Sequence, residues 1–191
     1  MVWKTVARHV LSRAVPPSAP DKELAKTLRA RLAAAGQKRL GRALSIRHVA
    51  AGSCNGCELE LRATQNLIYD LTQYGLSFTP SPRHADILLI TGVAGVNMRE
   101  AVAQARAAMP DPAFVLAVGD CAVDGGVFKG SPAVAGGANA FLPVDLVIAG
   151  CPPTPVQILQ GLLALVEANG EPESVAVIGE GAARVWPGDE D

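Results

Sequence analysis

Short apolar runs separated by helical segments most strongly constrain how this chain can fold. DILLIT (86–91), AFVLAV (113–118) and DLVIA (145–149) are almost continuously apolar, which is typical of strands buried on both faces of a sheet. The other predicted elements are strands at 44–51 and 76–79 and helices at 58–74, 99–109 and 155–168. This alternation predicts an α/β protein with a doubly wound, mostly parallel, flavodoxin-like sheet.

Two of the predicted segments lead to specific expectations. In the helix over residues 58–74, we expect Leu59, Leu67, Ile68 and Leu71 to supply much of the apolar face. Residues 174–186 are expected to form either an edge strand or a tail.

Charge divides the chain into a basic arm and an acidic body. Residues 1–50 hold 11 Lys/Arg and 2 Asp/Glu, whereas residues 51–191 hold 6 and 16. We therefore expect three parts, listed in chain order: a basic helical arm (1–43), a flavodoxin-like domain (44–170) and a C-terminal tail (171–191). The arm contains a basic amphipathic helix over 2–15 and a second helix over 21–35, and it is either a solvated extension or a surface for anionic lipid or an acidic partner.

Composition and short motifs exclude several cellular locations and ligand classes for this chain. No apolar run approaches the roughly 18 residues of a membrane span, and Lys4, Arg8 and Arg13 interrupt any secretory signal. The Gly-Gly pair at 125–126 lacks the spacing of a dinucleotide-binding loop. We expect a cytoplasmic protein with no nucleic-acid partner.

The four cysteines all follow predicted strands. Cys54 and Cys57 lie in GSCNGCELEL after the first strand, while Cys121 and Cys151 follow the strands at 113–118 and 145–149. Carboxyl ends of parallel strands line one edge of a sheet, where ligands bind. The pattern therefore predicts that these four thiols converge.

Several kinds of site could use such cysteines. Four converging thiolates suit structural zinc or an iron–sulfur cluster. A redox dithiol would use Cys54 and Cys57 but leave Cys121 and Cys151 idle, and unrelated cysteines would be small core residues. Structural zinc usually uses two compact Cys-x-x-Cys pairs, and only one is present, so the spacing favours a cluster.

Four ordered motifs resemble one family of redox subunits. They are GSCNGCELEL (52–61), SPRHADILLITG (81–92), AVGDCAVDGGVF (117–128) and PVDLVIAGCPPTPVQILQGL (143–162). The family unites the small subunit of membrane-associated (group 4) [NiFe] hydrogenases with the cluster-bearing 20 kDa subunit of respiratory complex I. The resemblance implies a flavodoxin-like fold and one [4Fe–4S] cluster held by Cys54, Cys57, Cys121 and Cys151.

Within that family, the spacing of the first cysteine pair resembles the hydrogenase branch, because complex I subunits carry two adjacent cysteines there. The implied function is electron transfer between a ferredoxin-like iron–sulfur subunit and a large [NiFe]-hydrogenase-like subunit. Membrane subunits of the same complex would hold it on the inner face of the cell membrane, with peripheral contact through residues 2–15. A complex I-type quinone oxidoreductase subunit and a zinc-stabilised interaction module are the alternatives.

The family position of Glu58 implies a proton relay at the interface with the large subunit. Glu58 directly follows Cys57 at the start of a predicted helix. A carboxylate there would also be stabilised by the helix dipole without any further role.

Overall fold

The computed structural model describes residues 43–167 and 176–178, which form a parallel sheet between two layers of helices. The six strands are β1 (Leu44–Ala50), β2 (Leu76–Phe78), β3 (Ile87–Thr91), β4 (Phe114–Val118), β5 (Leu146–Ile148) and β6 (Ala176–Ile178). Their order is β2-β1-β3-β4-β5-β6, and every neighbouring pair is parallel. The predicted flavodoxin-like, doubly wound class is confirmed.

In the described part of the chain, four α-helices cover the two faces of the sheet. They are α1 (Gly56–Ala63), α2 (Arg99–Ala107), α3 (Asp120–Asp124) and α4 (Pro155–Glu167). Leu61 of α1 and Ile158 of α4 belong to the core on one face, whereas Val102 of α2 and Ala122 of α3 belong to the core on the other. The connections between the strands therefore pass on both sides of the sheet.

The central strand β3 explains why the apolar runs were informative. All five of its residues are buried, with β1 on one side and β4 on the other. A strand covered by helices on both faces has no polar side to show, so its sequence is nearly continuous in apolar residues.

β6 lies at one edge of the sheet. Within the range 174–186, residues 176–178 therefore form an edge strand, which is one of the two expected possibilities.

The helix predicted over residues 58–74 was wrong in its length. α1 ends at Ala63, where the Thr64 hydroxyl donates to the Leu61 carbonyl at 2.6 Å. The Asn66 side-chain carbonyl then accepts hydrogen bonds from the amides of Ile68 (2.9 Å) and Tyr69 (3.0 Å). Both side chains compete with the helical hydrogen-bond pattern, so the chain turns instead of continuing.

The apolar face expected for that helix was largely wrong too. Leu67 is 98% exposed, Ile68 is 69% exposed and Leu59 is 55% exposed. Leu71 is buried, but it lies in a separate 3₁₀ turn (Leu71–Tyr74). Periodicity alone placed these residues on a helix face that the chain does not build.

The basic arm, including the helices predicted over residues 2–15 and 21–35, lies outside the described residues. Within the ranges 43–167 and 176–178, no helix is both long and apolar enough to span a membrane.

Candidate metal centre

The four cysteines lie on three loops at the carboxyl edge of the sheet. Cys54 and Cys57 follow β1, Cys121 lies in α3 after β4, and Cys151 follows β5. Parallel strands bring these loops to one edge although up to 97 positions separate the cysteines in sequence. All four are free thiols in the described chain.

The turn between Cys54 and Cys57 is shaped by its two middle residues. Asn55 adopts a left-handed conformation (φ 70°) and is the N-cap residue of α1, a conformation that asparagine tolerates better than most residues. Cys57 therefore lies in the first turn of α1, where backbone N–H groups have no helical partner. These N–H groups favour negative charge on a nearby sulfur or ligand.

Two hydrogen bonds join the loops that carry Cys121 and Cys151. The Asp120 amide donates to the Gly150 carbonyl at 2.9 Å, and the Gly150 amide donates to Asp120 Oδ1 at 2.8 Å. Asp120 and Gly150 immediately precede Cys121 and Cys151. This reciprocal pair fixes the spacing of the two cysteine-bearing loops.

Glycines keep the space around the thiols open. A Cβ atom at Gly119 would lie 2.4 Å from Cys57 Sγ, and one at Gly126 would lie 3.2 Å from Cys121 Sγ. A Cβ atom at Gly56 would lie 3.5 Å from Cys54 Sγ and 3.9 Å from Pro152 Cβ. The Cys54–Cys57 turn thus reaches the β4 loop through Gly119 and the β5 loop through Pro152.

The thiols affect one another electrostatically. Burial raises the pKa of Cys57 to about 12, with further contributions from Glu58 and the other three cysteines. Burial, Cys151 and Cys54 likewise raise the pKa of Cys121. Four thiolates side by side would repel one another unless a positively charged centre lay between them.

The residues present fit an iron–sulfur cluster by their chemistry and by the space they leave. Among the described residues, no three His, Cys, Asp or Glu side chains gather closely enough to chelate one metal ion. Gly119 and Gly126 leave space beside Cys57 and Cys121 at the sheet edge, and thiolates are the ligands that hold iron–sulfur clusters.

Glu58 points from α1 toward the sheet and joins a polar network there. The Thr91 hydroxyl donates to Glu58 Oε1, and His48 Nε2 lies 2.9 Å from Thr91 Oγ1. Glu58 Oε2 is buried and has no hydrogen-bond partner within the described part of the chain. One oxygen of this carboxylate is therefore fixed while the other is left available.

The network sets the charge states of its two ionisable members. Burial would raise the pKa of Glu58, but the hydrogen bond from Thr91 and the nearby Ser53 and His48 side chains outweigh it and lower that pKa. Burial lowers the pKa of His48 despite the attraction of Glu58. At neutral pH, Glu58 is thus an anion and His48 a neutral ring.

A pocket of about 380 Å³ lies beside this network, between β1, α1 and the end of β2. Its lining includes Arg47, His48, Glu58 and Arg62. Arg47 Nη1 donates to the Pro80 carbonyl at 2.8 Å. The pocket places polar groups next to Glu58 on the side of α1 that faces the sheet.

Sequence reasoning missed His48, Thr91 and the role of Asp120. The available signal for Thr91 was a single polar residue that ends an otherwise apolar strand, ILLIT. His48 similarly interrupts the apolar alternation of β1. The side chain of Asp120 binds a loop 30 positions away, and its place beside Cys121 gives no indication of that partner.

Comparisons with known proteins agree on a family. The sequence pattern of the NADH ubiquinone oxidoreductase 20 kDa subunit family matches residues 54–165. Formate hydrogenlyase subunit 7 of Escherichia coli (strain K12) is 38% identical over 155 residues, which are 80% of this chain and 61% of that protein. A second relative, from the NADH-quinone oxidoreductase of Carboxydothermus hydrogenoformans, is 40% identical over 120 residues, which are 62% of this chain and 72% of that protein.

A solved structure is similar as well. In the membrane-bound sulfane sulfur reductase, an archaeal respiratory membrane complex, one chain matches with a TM-score of 0.61 and 31% identity. The match covers 77% of each chain. The present chain spans about three fifths of the Escherichia coli relative.

Proposed function

We propose that the chain carries the proximal [4Fe–4S] cluster of a membrane-associated [NiFe]-hydrogenase-like complex. The chain belongs to the family of the NADH ubiquinone oxidoreductase 20 kDa subunit. Members of this family are oxidoreductase subunits of hydrogenase or NADH-quinone oxidoreductase complexes. In the proposed role, the chain passes electrons between a ferredoxin-like subunit and a large catalytic subunit. The observation that carries the proposal is the interlocking of three cysteine-bearing loops at one edge of the sheet.

Cys54, Cys57, Cys121 and Cys151 would hold the cluster, which when bound supplies one-electron redox chemistry. The chain itself contributes the geometry around it. Gly119 and Gly126 leave room beside two of the sulfurs, and the Asp120–Gly150 hydrogen bonds hold two of the loops in register.

The exposed side of the site fits a partner subunit. Cys54 and Cys151 are exposed, and so are the nearby apolar side chains of Leu59, Val127 and Phe128. Cover by the large subunit would exclude water from the cluster, and burial is one of the factors that set cluster potential.

Glu58 is proposed to relay protons at that interface. Its carboxylate is held by Thr91 through one oxygen, and its other oxygen is buried without a partner in the described residues. A general acid–base group needs an available oxygen within hydrogen-bond reach of the next proton donor or acceptor. The free oxygen meets that need once a partner subunit or water supplies the neighbouring group.

The proposal predicts one cluster of four irons in this chain. Iron and sulfide analysis of the purified complex, with electron paramagnetic resonance of its reduced state, is expected to reveal one [4Fe–4S] centre that a Cys121→Ala variant loses. Stoichiometric zinc in place of iron would instead establish the zinc-stabilised interaction module.

The same preparation separates the hydrogenase branch from the quinone-reducing branch. Asn55 and Gly56 separate Cys54 from Cys57, so the turn can wrap a cluster edge with its amides facing sulfur. We expect hydrogen evolution or uptake with an artificial viologen dye. Intact clusters with no nickel and no hydrogen chemistry would favour a quinone oxidoreductase subunit.

The arm outside the described residues is proposed to attach the complex to the inner face of the cell membrane. Residues 2–15 are basic and amphipathic, and attraction to an anionic surface contributes about 1 kcal/mol per basic residue. Deleting residues 1–20 is expected to release the complex from sedimented membranes at lower salt than the full chain requires. Release at the same salt concentration in both proteins would contradict the proposal.

A further inference from the structure

The sheet face that packs against α1 and α4 is apolar along most of its length. Its core residues are spaced two apart along four strands: Leu44 and Ile46, Ile87 and Leu89, Leu116 and Val118, Leu146 and Ile148. The next positions in the first two series are His48 and Thr91. Both series therefore change to polar residues at the carboxyl edge. On the helix above them, Glu58 lies about one turn of α1 before the buried Leu61.

Thr91 is polar, whereas the residues paired with it on both neighbouring strands are apolar. At the same level of the sheet, Thr91 pairs with Ala50 of β1 and Val118 of β4, and Val118 pairs with Ile148 of β5. Thr91 is completely buried, and valine has nearly the same shape. Its hydroxyl is therefore the feature that distinguishes this position from its apolar neighbours.

The direction of the hydrogen bonds follows from the acceptor. An ionised carboxylate can only accept, so the Thr91 hydroxyl donates to Glu58 Oε1. The same oxygen of Thr91 then accepts from His48 Nε2 at 2.9 Å, which places the proton of the neutral ring on Nε2. His48 thereby fixes the rotation of the hydroxyl, and the hydroxyl fixes one carboxylate oxygen.

We propose that Thr91 and His48 are positioning residues that hold Glu58 in one orientation, with Oε1 on the Thr91 hydroxyl and Oε2 free of it. This inference rests on the proposed relay role of Glu58. Both residues act through Glu58, Thr91 directly and His48 through the Thr91 hydroxyl. A group held in this way stays within reach of its proton partner in every turnover, and a misplacement of about 1 Å can cost on the order of 100-fold in rate.

The test compares Thr91→Val, which keeps the shape and removes the hydroxyl, with Thr91→Ser, which keeps the hydroxyl. In the purified complex, Thr91→Val is expected to lower turnover about tenfold at normal iron content. Thr91→Ser is expected to restore most of that loss. In a Glu58→Gln background, Thr91→Val should cause no further loss, because the residue it positions no longer relays protons.

Infrared spectroscopy provides a readout independent of turnover. The carboxylate band of Glu58, identified by its absence in Glu58→Gln, should shift in Thr91→Val and in His48→Phe but return in Thr91→Ser. An unshifted band in Thr91→Val, or an equal loss of turnover with and without Glu58, would overturn the positioning role. If Glu58→Gln alone leaves turnover normal, the relay proposal fails, while the band shift still decides whether Thr91 orients the carboxylate.

Discussion

Replacing Gly119 with alanine is expected to leave the complex with little or no iron at this chain's site. The new Cβ atom would lie 2.4 Å from Cys57 Sγ, so the sulfur or the strand end would have to move by about 1 Å to reach an ordinary contact. Bonds between ligands and a metal site tolerate shifts of only about 0.2 Å. Gly119 also has φ +91° and ψ 149°, a conformation that essentially only glycine adopts and that strains alanine by about 1–3 kcal/mol.

A second variant shows what positive-φ strain does to the complex where no space is lost. Gly75 also has a positive φ (+73°), but a Cβ atom there would meet nothing within 4 Å. Gly75 lies in the left-handed region (ψ 26°), so Gly75→Ala should carry a positive-φ strain of about 1–2 kcal/mol, lower the thermal stability of the complex slightly and keep about four irons in this chain.

Iron content per assembled complex is the measurement, with assembly followed by size-exclusion chromatography. Assembled complex that lacks this cluster only in Gly119→Ala is the expected result. Normal iron content and an unchanged paramagnetic resonance signal in Gly119→Ala would contradict the proposal that Cys57 holds the cluster.

The strands were predictable because burial on both faces leaves a direct record in sequence. For β3, β4 and β5, the predicted and observed ends differ by one residue at most. The convergence of the cysteine loops followed from the same strands, since parallel strands bring their carboxyl ends to one edge. Fold class and cysteine placement were therefore two consequences of a single pattern.

The chain after α1 could not be predicted from periodicity. Leu67 and Ile68 have helical spacing with respect to Leu71, yet the side chains of Thr64 and Asn66 satisfy the local backbone groups and turn the chain. Spacing records which residues would share a face if a helix formed. It does not record whether local hydrogen bonds prevent the helix.

The polar network was hidden for a different reason. His48 and Thr91 are 43 positions apart, and Thr91 and Glu58 are 33 positions apart. Their contact depends on the register of β1 against β3 and on the rotation of α1 over both strands. A single polar residue in a strand gives no indication of its distant partner.

Cys57 and Glu58 place the two proposed activities of the chain side by side on α1. Consecutive helical residues point about 100° apart, so the thiol can face Gly119 while the carboxylate faces Thr91. The first turn of α1 therefore links the proposed electron path and the proposed proton path without placing both groups in one space. Loss of one function should leave the other group in place.

Replacing Glu58 with glutamine is expected to slow turnover about 100-fold while the iron content stays normal, because positioned acid–base groups contribute on the order of 100-fold or more to rate. Glutamine keeps the size of the side chain and an oxygen that can accept from Thr91, but its amide cannot take up and release a proton at neutral pH. Glu60→Gln is the matched control, since Glu60 lies on the same helix and points about 200° away from Glu58. This control variant should turn over normally.

Turnover would be measured in the purified complex with a viologen dye, alongside the reduced cluster signal. Normal turnover in Glu58→Gln would leave this carboxylate with only its stabilising interaction at the start of α1, and equal losses in both variants would point to the charge of the helix surface.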